Sequence, residues 1–193
     1  MSEAIILNGD MDRKVFAWLE SNLGKVTLFA PHARWRTGWD AEVSRDGESI
    51  PLYIRGPRGD NYTSPINMAQ EAEIHRAYLA NGIPVPKAIG LIDDPEALVL
   101  ERIPGIINTG AIADAGKQKK IREEFVEIMA AIHCLPPEAF AEVGLDVPQG
   151  ADAVSRNLYA ASEAIFDGLI GRPWPLMRFT AGWLRRHVPQ DRT

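Results

Sequence analysis

The chain has 193 residues, 46% apolar and 24% charged, the composition of a folded globular protein and not of a disordered one. Its formal net charge is −5, which argues against a nucleic-acid partner, because such proteins carry a basic face. Cys134 is the only cysteine, so no intrachain disulfide can form, and no run approaches the roughly 20 apolar residues of a membrane span.

The opening stretch, MSEAIILNGDMDRKVFAWLE, lacks a basic segment followed by a long apolar core and does not read as a signal peptide. A soluble cytoplasmic protein is the expectation. Val15, Trp18, Leu19 and Leu23 recur at helical spacing over residues 15–23, with Gly24 as the stop. From Lys25 the period changes. KVTLFA, WDAEVSR and SIPLYIR are short runs broken by Pro31, Gly38 and Asp46-Gly47. Asp-Gly between apolar-rich runs signals a hairpin, so this region reads as an antiparallel meander. A polar connection over 57–65 leads to a helix over 66–80, ending at Asn81-Gly82. IPVPKAIGLIDD and ALVLERI then predict two more strands around a turn at 93–96. The order implies an α+β lobe, an antiparallel sheet with one packed helix.

Beyond Gly105 the pattern turns helical. Over residues 117–133, Ile121, Phe125, Ile128, Met129 and Ile132 share a face expected to pack inward, and Pro136-Pro137 ends the run. Further helices are expected at 152–169 and 176–187. The chain thus divides into an N-terminal helix (1–24), a sheet lobe (25–103) and a helical part (104–193).

Three stretches can carry chemistry. In PLYIRG, Arg55 is a fixed cation on an apolar strand, and the next helix offers Glu71 and Glu73 as partners. Arg55 either ends a strand in solvent or is held by a carboxylate to meet a phosphate. In APHARWRTGWD, His32, Arg34, Arg36 and Gly38 form either an exposed basic loop or a loop over phosphates, to which guanidinium forks and backbone N–H groups are suited. In LVLERIPGI, a strand runs into Glu101, Arg102, Ile103 and Pro104. This is either a plain strand end or an open backbone edge. In the second case the Glu101 C=O and Ile103 N–H can match adenine, since Pro104 has no N–H to donate.

LYIRGPRG, EAEIHRAYLANGIPVPKAIGL, ALVLERIPG and FVEIMAAIHCLPPEAFAEVGL, in this order and spacing, resemble successive segments of the aminoglycoside phosphotransferase / choline kinase-like family over roughly residues 25–190. The resemblance implies a protein-kinase-like fold with ATP held between two lobes. It makes Arg55 the third-strand cation and Glu71 its helix partner, with Glu73 the alternative in a shifted register. Glu101, Arg102 and Ile103 become the hinge at adenine, and Arg36 and Gly38 lie in the phosphate-covering loop. Tyr53 departs from the pattern, because a small or aliphatic residue is usual there and a Tyr ring would crowd the adenine pocket. The family's catalytic His-Gly-Asp, its Asn and its later metal-binding Asp have no match: His32, His75, His133 and His187 do not begin that motif. No catalytic residue or metal ligand is assigned, and Asp146 and Asp152 lack partners at the family's spacing.

The resemblance therefore implies the N-terminal part of an ATP-dependent phosphotransferase acting on a small-molecule hydroxyl, inactive by itself. The Mg²⁺ ligands of the complete family member are absent from this stretch. The alternative is a non-enzymatic nucleotide- or partner-binding lobe completed by a second chain.

Overall fold

The computed structural model describes residues 4–32, 36–58, 64, 66–106, 108–145, 149, 153 and 175–187. Its elements are α1 (Asp10–Asn22), β1 (Lys25–Pro31), β2 (Arg36–Arg45), β3 (Glu48–Arg58), α2 (Met68–Ala80), β4 (Ala88–Ile92), β5 (Ala97–Glu101), α3 (Ala115–His133) and α4 (Pro175–Arg186). Two short 3-10 helices lie at Thr109–Ala111 and Pro137–Val143. The helix expected at 152–169 lies outside the described residues. The chain forms two compact units, Met1–Gly59 with Ile66–Gly144, and Asp60–Pro65 with Leu145–Thr193.

The first unit is α+β, as the sequence predicts. Its five strands form one sheet in the order β1-β2-β3-β5-β4, with every neighbouring pair antiparallel. The Asp46-Gly47 signal marks the β2–β3 turn: Arg45 pairs with Glu48, and Asp46 and Gly47 take φ of 53° and 84°. Positive φ at both central residues suits the right-handed twist of the flanking strands, and glycine adopts it without a Cβ penalty.

Strand alternation sends side chains to two faces. Trp39, Ala41, Val43, Leu52, Ile54 and Val99 pack on Val15 and Leu19 of α1, all 0% exposed. Leu98 and Leu100 face the other way, onto Met68 and Ala72 of α2, with Tyr53, Ala88 and Leu91 beside them. Each large aliphatic side chain so buried contributes roughly 1.5–3 kcal/mol. The N-terminal helix is thus part of the sheet's own core. It begins five residues before Val15, where Gly9 is the N-cap. Asp12 receives the Asn8 N–H at 2.7 Å and the Trp39 Nε1–H at 2.8 Å.

Helix α2 begins at Met68 because Asn67 caps it. The Asn67 side chain accepts from the Gln70 N–H and the Gln70 side chain accepts from the Asn67 N–H, a reciprocal box. Glu96, in the β4–β5 turn, accepts the Met68 N–H at 3.1 Å. These two anchors fix the end of α2 that carries Glu71.

The stripe expected to bury α3 does not do so: no residue of α3 is buried, and Phe125 and Val126 are each 62% exposed. The periodicity specifies an apolar face, but no described element covers it. In the second unit α4 buries only Ala181 among its residues and exposes Leu176, Phe179 and Trp183.

Candidate functional site

On the α2 side the sheet presents rows of side chains that follow from its register. Gly38 of β2 lies opposite Arg55 of β3, which lies opposite Leu98 of β5. The next row is Asp40, Tyr53 and Leu100, and the next starts with Glu42 and Pro51. Members of a row share a face, so polar side chains of β2 and β3 stand beside the apolar seat of α2.

Arg55 meets Glu71, the partner that the resemblance implies. Arg55 Nε lies 2.9 Å from Glu71 Oε1, with the carboxylate side chain 13% exposed. The N–H vector misses the oxygen, so Nε makes no hydrogen bond and the contact is an ion pair. Neither Nη of Arg55 makes a hydrogen bond among the described residues. Glu73 pairs instead with Arg76 on its own helix.

Arg36 reaches the same end of the sheet. Its Nε donates to the Gly56 carbonyl at 2.8 Å and its Nη2 approaches Met68 Sδ at 3.5 Å. Its pKa is held below the ordinary value, first by burial, then by the repulsion of Arg55, with Arg58 adding and Glu71 opposing. Three guanidiniums thus act on one another around one carboxylate. Such a cluster favours an anion, and guanidinium groups match phosphate oxygens.

Gly38 was expected to let backbone approach a phosphate. The structure puts the Tyr53 ring there: a Cβ on Gly38 would stand 3.2 Å from the Tyr53 hydroxyl and 3.6 Å from its ring edge. The His32 ring lies 5.9 Å from that of Tyr53, and His32 Nε2 is 2.9 Å from Asp40 Oδ2. Residues 33–35, with Arg34, lie outside the described residues.

At the strand end, the Glu101 N–H bonds to Lys87 O at 3.0 Å and the Arg102 N–H to Pro51 O at 3.1 Å. The Ile103 N–H has no partner among the described residues, and Ile103 is 56% exposed. The Arg102 side chain turns back over the sheet, where its Nη2 bonds to Glu42 Oε1 at 2.6 Å. Glu42 was not singled out from the sequence, because only the register reveals it as a neighbour of Arg102 across Pro51. A cavity of about 470 Å³ opens where β5 ends, lined by Leu23, Ile50, Leu52, Ile89, Arg45, Lys87 and Glu101 among others. It includes neither Arg36 nor Arg55.

Mg²⁺, which the resemblance implies for phosphoryl transfer, takes carboxylate, carbonyl or amide oxygens and water. Beside Arg55 the carboxylates of Glu71, Asp40 and Glu42 already face Arg55, His32 and Arg102. Among the described residues no three His, Cys, Asp or Glu side chains gather as a metal site, so these residues do not fit the ion. Asp146 and Asp152 lie outside the described residues. The cluster can bind and orient an anion. Comparison with known proteins gives no match to any family model, curated protein or solved structure.

Proposed function

We propose that this chain is the nucleotide-binding part of a protein-kinase-like phosphotransferase for small-molecule hydroxyls, and that it takes ATP. The observation that carries this reading is the Arg55–Glu71 ion pair, which joins the third strand to the packed helix while the Arg55 guanidinium makes no hydrogen bond among the described residues. The phosphates meet Arg55 and Arg36, and the base lies toward the β5 exit, where the Ile103 N–H is available as a donor. The Arg102 side chain serves Glu42, so the hinge contributes its backbone. Transfer itself needs metal ligands and an orienting carboxylate, so this chain alone binds nucleotide and does not turn it over.

Calorimetric titration of ATP into the full chain tests the reading. Arg55→Ala should weaken binding by about 1–3 kcal/mol, the scale of a charge-assisted contact, which is roughly 5- to 150-fold. An unchanged affinity in a folded variant refutes the assignment.

The exposed apolar faces of α3 and α4 favour a second reading, a lobe completed by another polypeptide. Light scattering of the purified chain, alone and mixed with the product of an adjacent reading frame, tests it. A strictly monomeric chain in both cases counts against this reading.

A further inference from the structure

Tyr53 belongs to the row of Asp40 and Leu100, yet its ring does not stay there. The hydroxyl lies 3.2 Å from the position of a Cβ on Gly38, which belongs to the row of Arg55. The ring therefore leans diagonally by one row, about 6–7 Å along the strand. It leans away from the Glu101 end of β5, because Glu101 pairs with Leu52 on the opposite side of the Tyr53 row. A tyrosine at this position was expected to crowd a base. Its ring instead goes to the end of the sheet where the arginines gather.

Three observations bear on what the hydroxyl does there. It has no hydrogen-bond partner among the described residues. It stands over Gly38, which lies directly opposite Arg55 in the β2–β3 pairing. The two Nη atoms of Arg55, in the neighbouring row, make no hydrogen bond among the described residues either. The ring itself is held by packing against the Met68–Leu98–Leu100 cluster, with the His32 ring 5.9 Å away. A phenol has one donor and a fixed reach. Held over the row of Arg55, it is a neutral donor available to an anion bound there.

Building on the nucleotide reading above, the geometry points to Tyr53 Oη as a further binding group of the site, donating a hydrogen bond to a phosphate oxygen held by Arg36 and Arg55. Gly38 is then a glycine because the Tyr53 ring needs the space over it. The hydroxyl contacts the phosphates and not the nucleoside, so it serves any polyphosphate.

The test is calorimetry on the full chain with two probes, ATP and inorganic tripolyphosphate, comparing the wild type, Tyr53→Phe and Arg55→Ala. Tyr53→Phe keeps the ring and its packing, so its urea midpoint should match the wild type. The expected result is a loss of about tenfold for both probes, the scale of one hydrogen bond to a charged acceptor. If Arg55→Ala weakens binding while Tyr53→Phe leaves both affinities unchanged, the Tyr53 assignment falls and the nucleotide reading stands. If Tyr53→Phe weakens ATP alone, the hydroxyl touches the nucleoside and the phosphate assignment is overturned. If the wild type binds neither probe, both fall together.

Discussion

Replacing Asp12 by alanine should destabilise the first unit by about 2–4 kcal/mol, a large share of the roughly 5–15 kcal/mol that holds a typical domain. Asp12 is 8% exposed and Trp39, its partner, is 0% exposed. The truncation leaves the indole N–H buried with no acceptor, which costs about 1–3 kcal/mol. It also removes the carboxylate that receives the Asn8 N–H at 2.7 Å. That bond matters because the N-cap, Gly9, supplies no side-chain cap, and losing a helix-start partner costs about 0.5–2 kcal/mol. Water reaches the half-buried Asn8 N–H and offsets part of the second term.

Urea unfolding followed by far-ultraviolet circular dichroism measures the difference. Asp12→Asn should fall between, at about 1–2 kcal/mol: its oxygen still accepts the indole N–H, but its NH₂ then faces the Asn8 N–H, donor against donor. Trp39→Phe removes the donor, and a cycle of the two substitutions isolates the pair. A loss below about 1 kcal/mol for Asp12→Ala, with no coupling to Trp39→Phe, refutes the view that this bond seats α1 on the sheet.

Gly56→Ala should cost about 1–3 kcal/mol in thermal unfolding, because the new Cβ would lie 2.7 Å from Trp39 Cζ3 and 3.0 Å from Thr37 O. Arg102→Ala should cost about 1 kcal/mol or less, since the pair is about one-third exposed; it should leave ATP affinity in calorimetry unchanged, because the guanidinium is held by Glu42. The Lys14 ammonium has its pKa raised, chiefly by its hydrogen bond to Asp94, so Asp94→Asn should lower the titration point seen by NMR. The raised value means that this contact contributes fully below the unfolded lysine pKa of about 10.4. It is lost as pH rises through the folded value, so wild type and Asp94→Asn should converge in stability in strong alkali.

The first unit was legible in the sequence because its local signals agree with its packing. The Asp46-Gly47 signal marked the hairpin between β2 and β3, and in the structure alternation along β3 puts Leu52 and Ile54 on one face and Tyr53 and Arg55 on the other. Helix α2 was placed between the polar connection over 57–65 and its Asn81-Gly82 stop, and Glu71 pairs with Arg55 while Glu73 pairs with Arg76. What could not be read was contact across strands. Glu42 and Arg102 are 60 residues apart, and nothing local to either announces the other. Asp12 and Trp39 meet 27 residues apart in the same way. For α3 the pattern was read correctly and its burial was not, because periodicity names a face without naming what covers it.

The charge of the candidate site depends on one further feature that alternation alone would not produce. Arg55 and Arg58 are three residues apart, so in a regular strand they point to opposite faces. The register shifts between the Arg36–Arg58 and Gly38–Arg55 pairs. A bulge of this kind adds one residue to β3 against its partner. The extra residue returns Arg58 to the face of Arg36, and its influence on the Arg36 guanidinium is felt there. Gly56 sits within this shift. Its missing side chain leaves room for the Trp39 ring, and its carbonyl receives Arg36 Nε. Gly56 thus packs against the core residue Trp39 and, through its carbonyl, holds Arg36. Stability of the α1 side and anion affinity on the α2 side should therefore fall together when Gly56 is changed, and separately when Asp12 or Arg55 is.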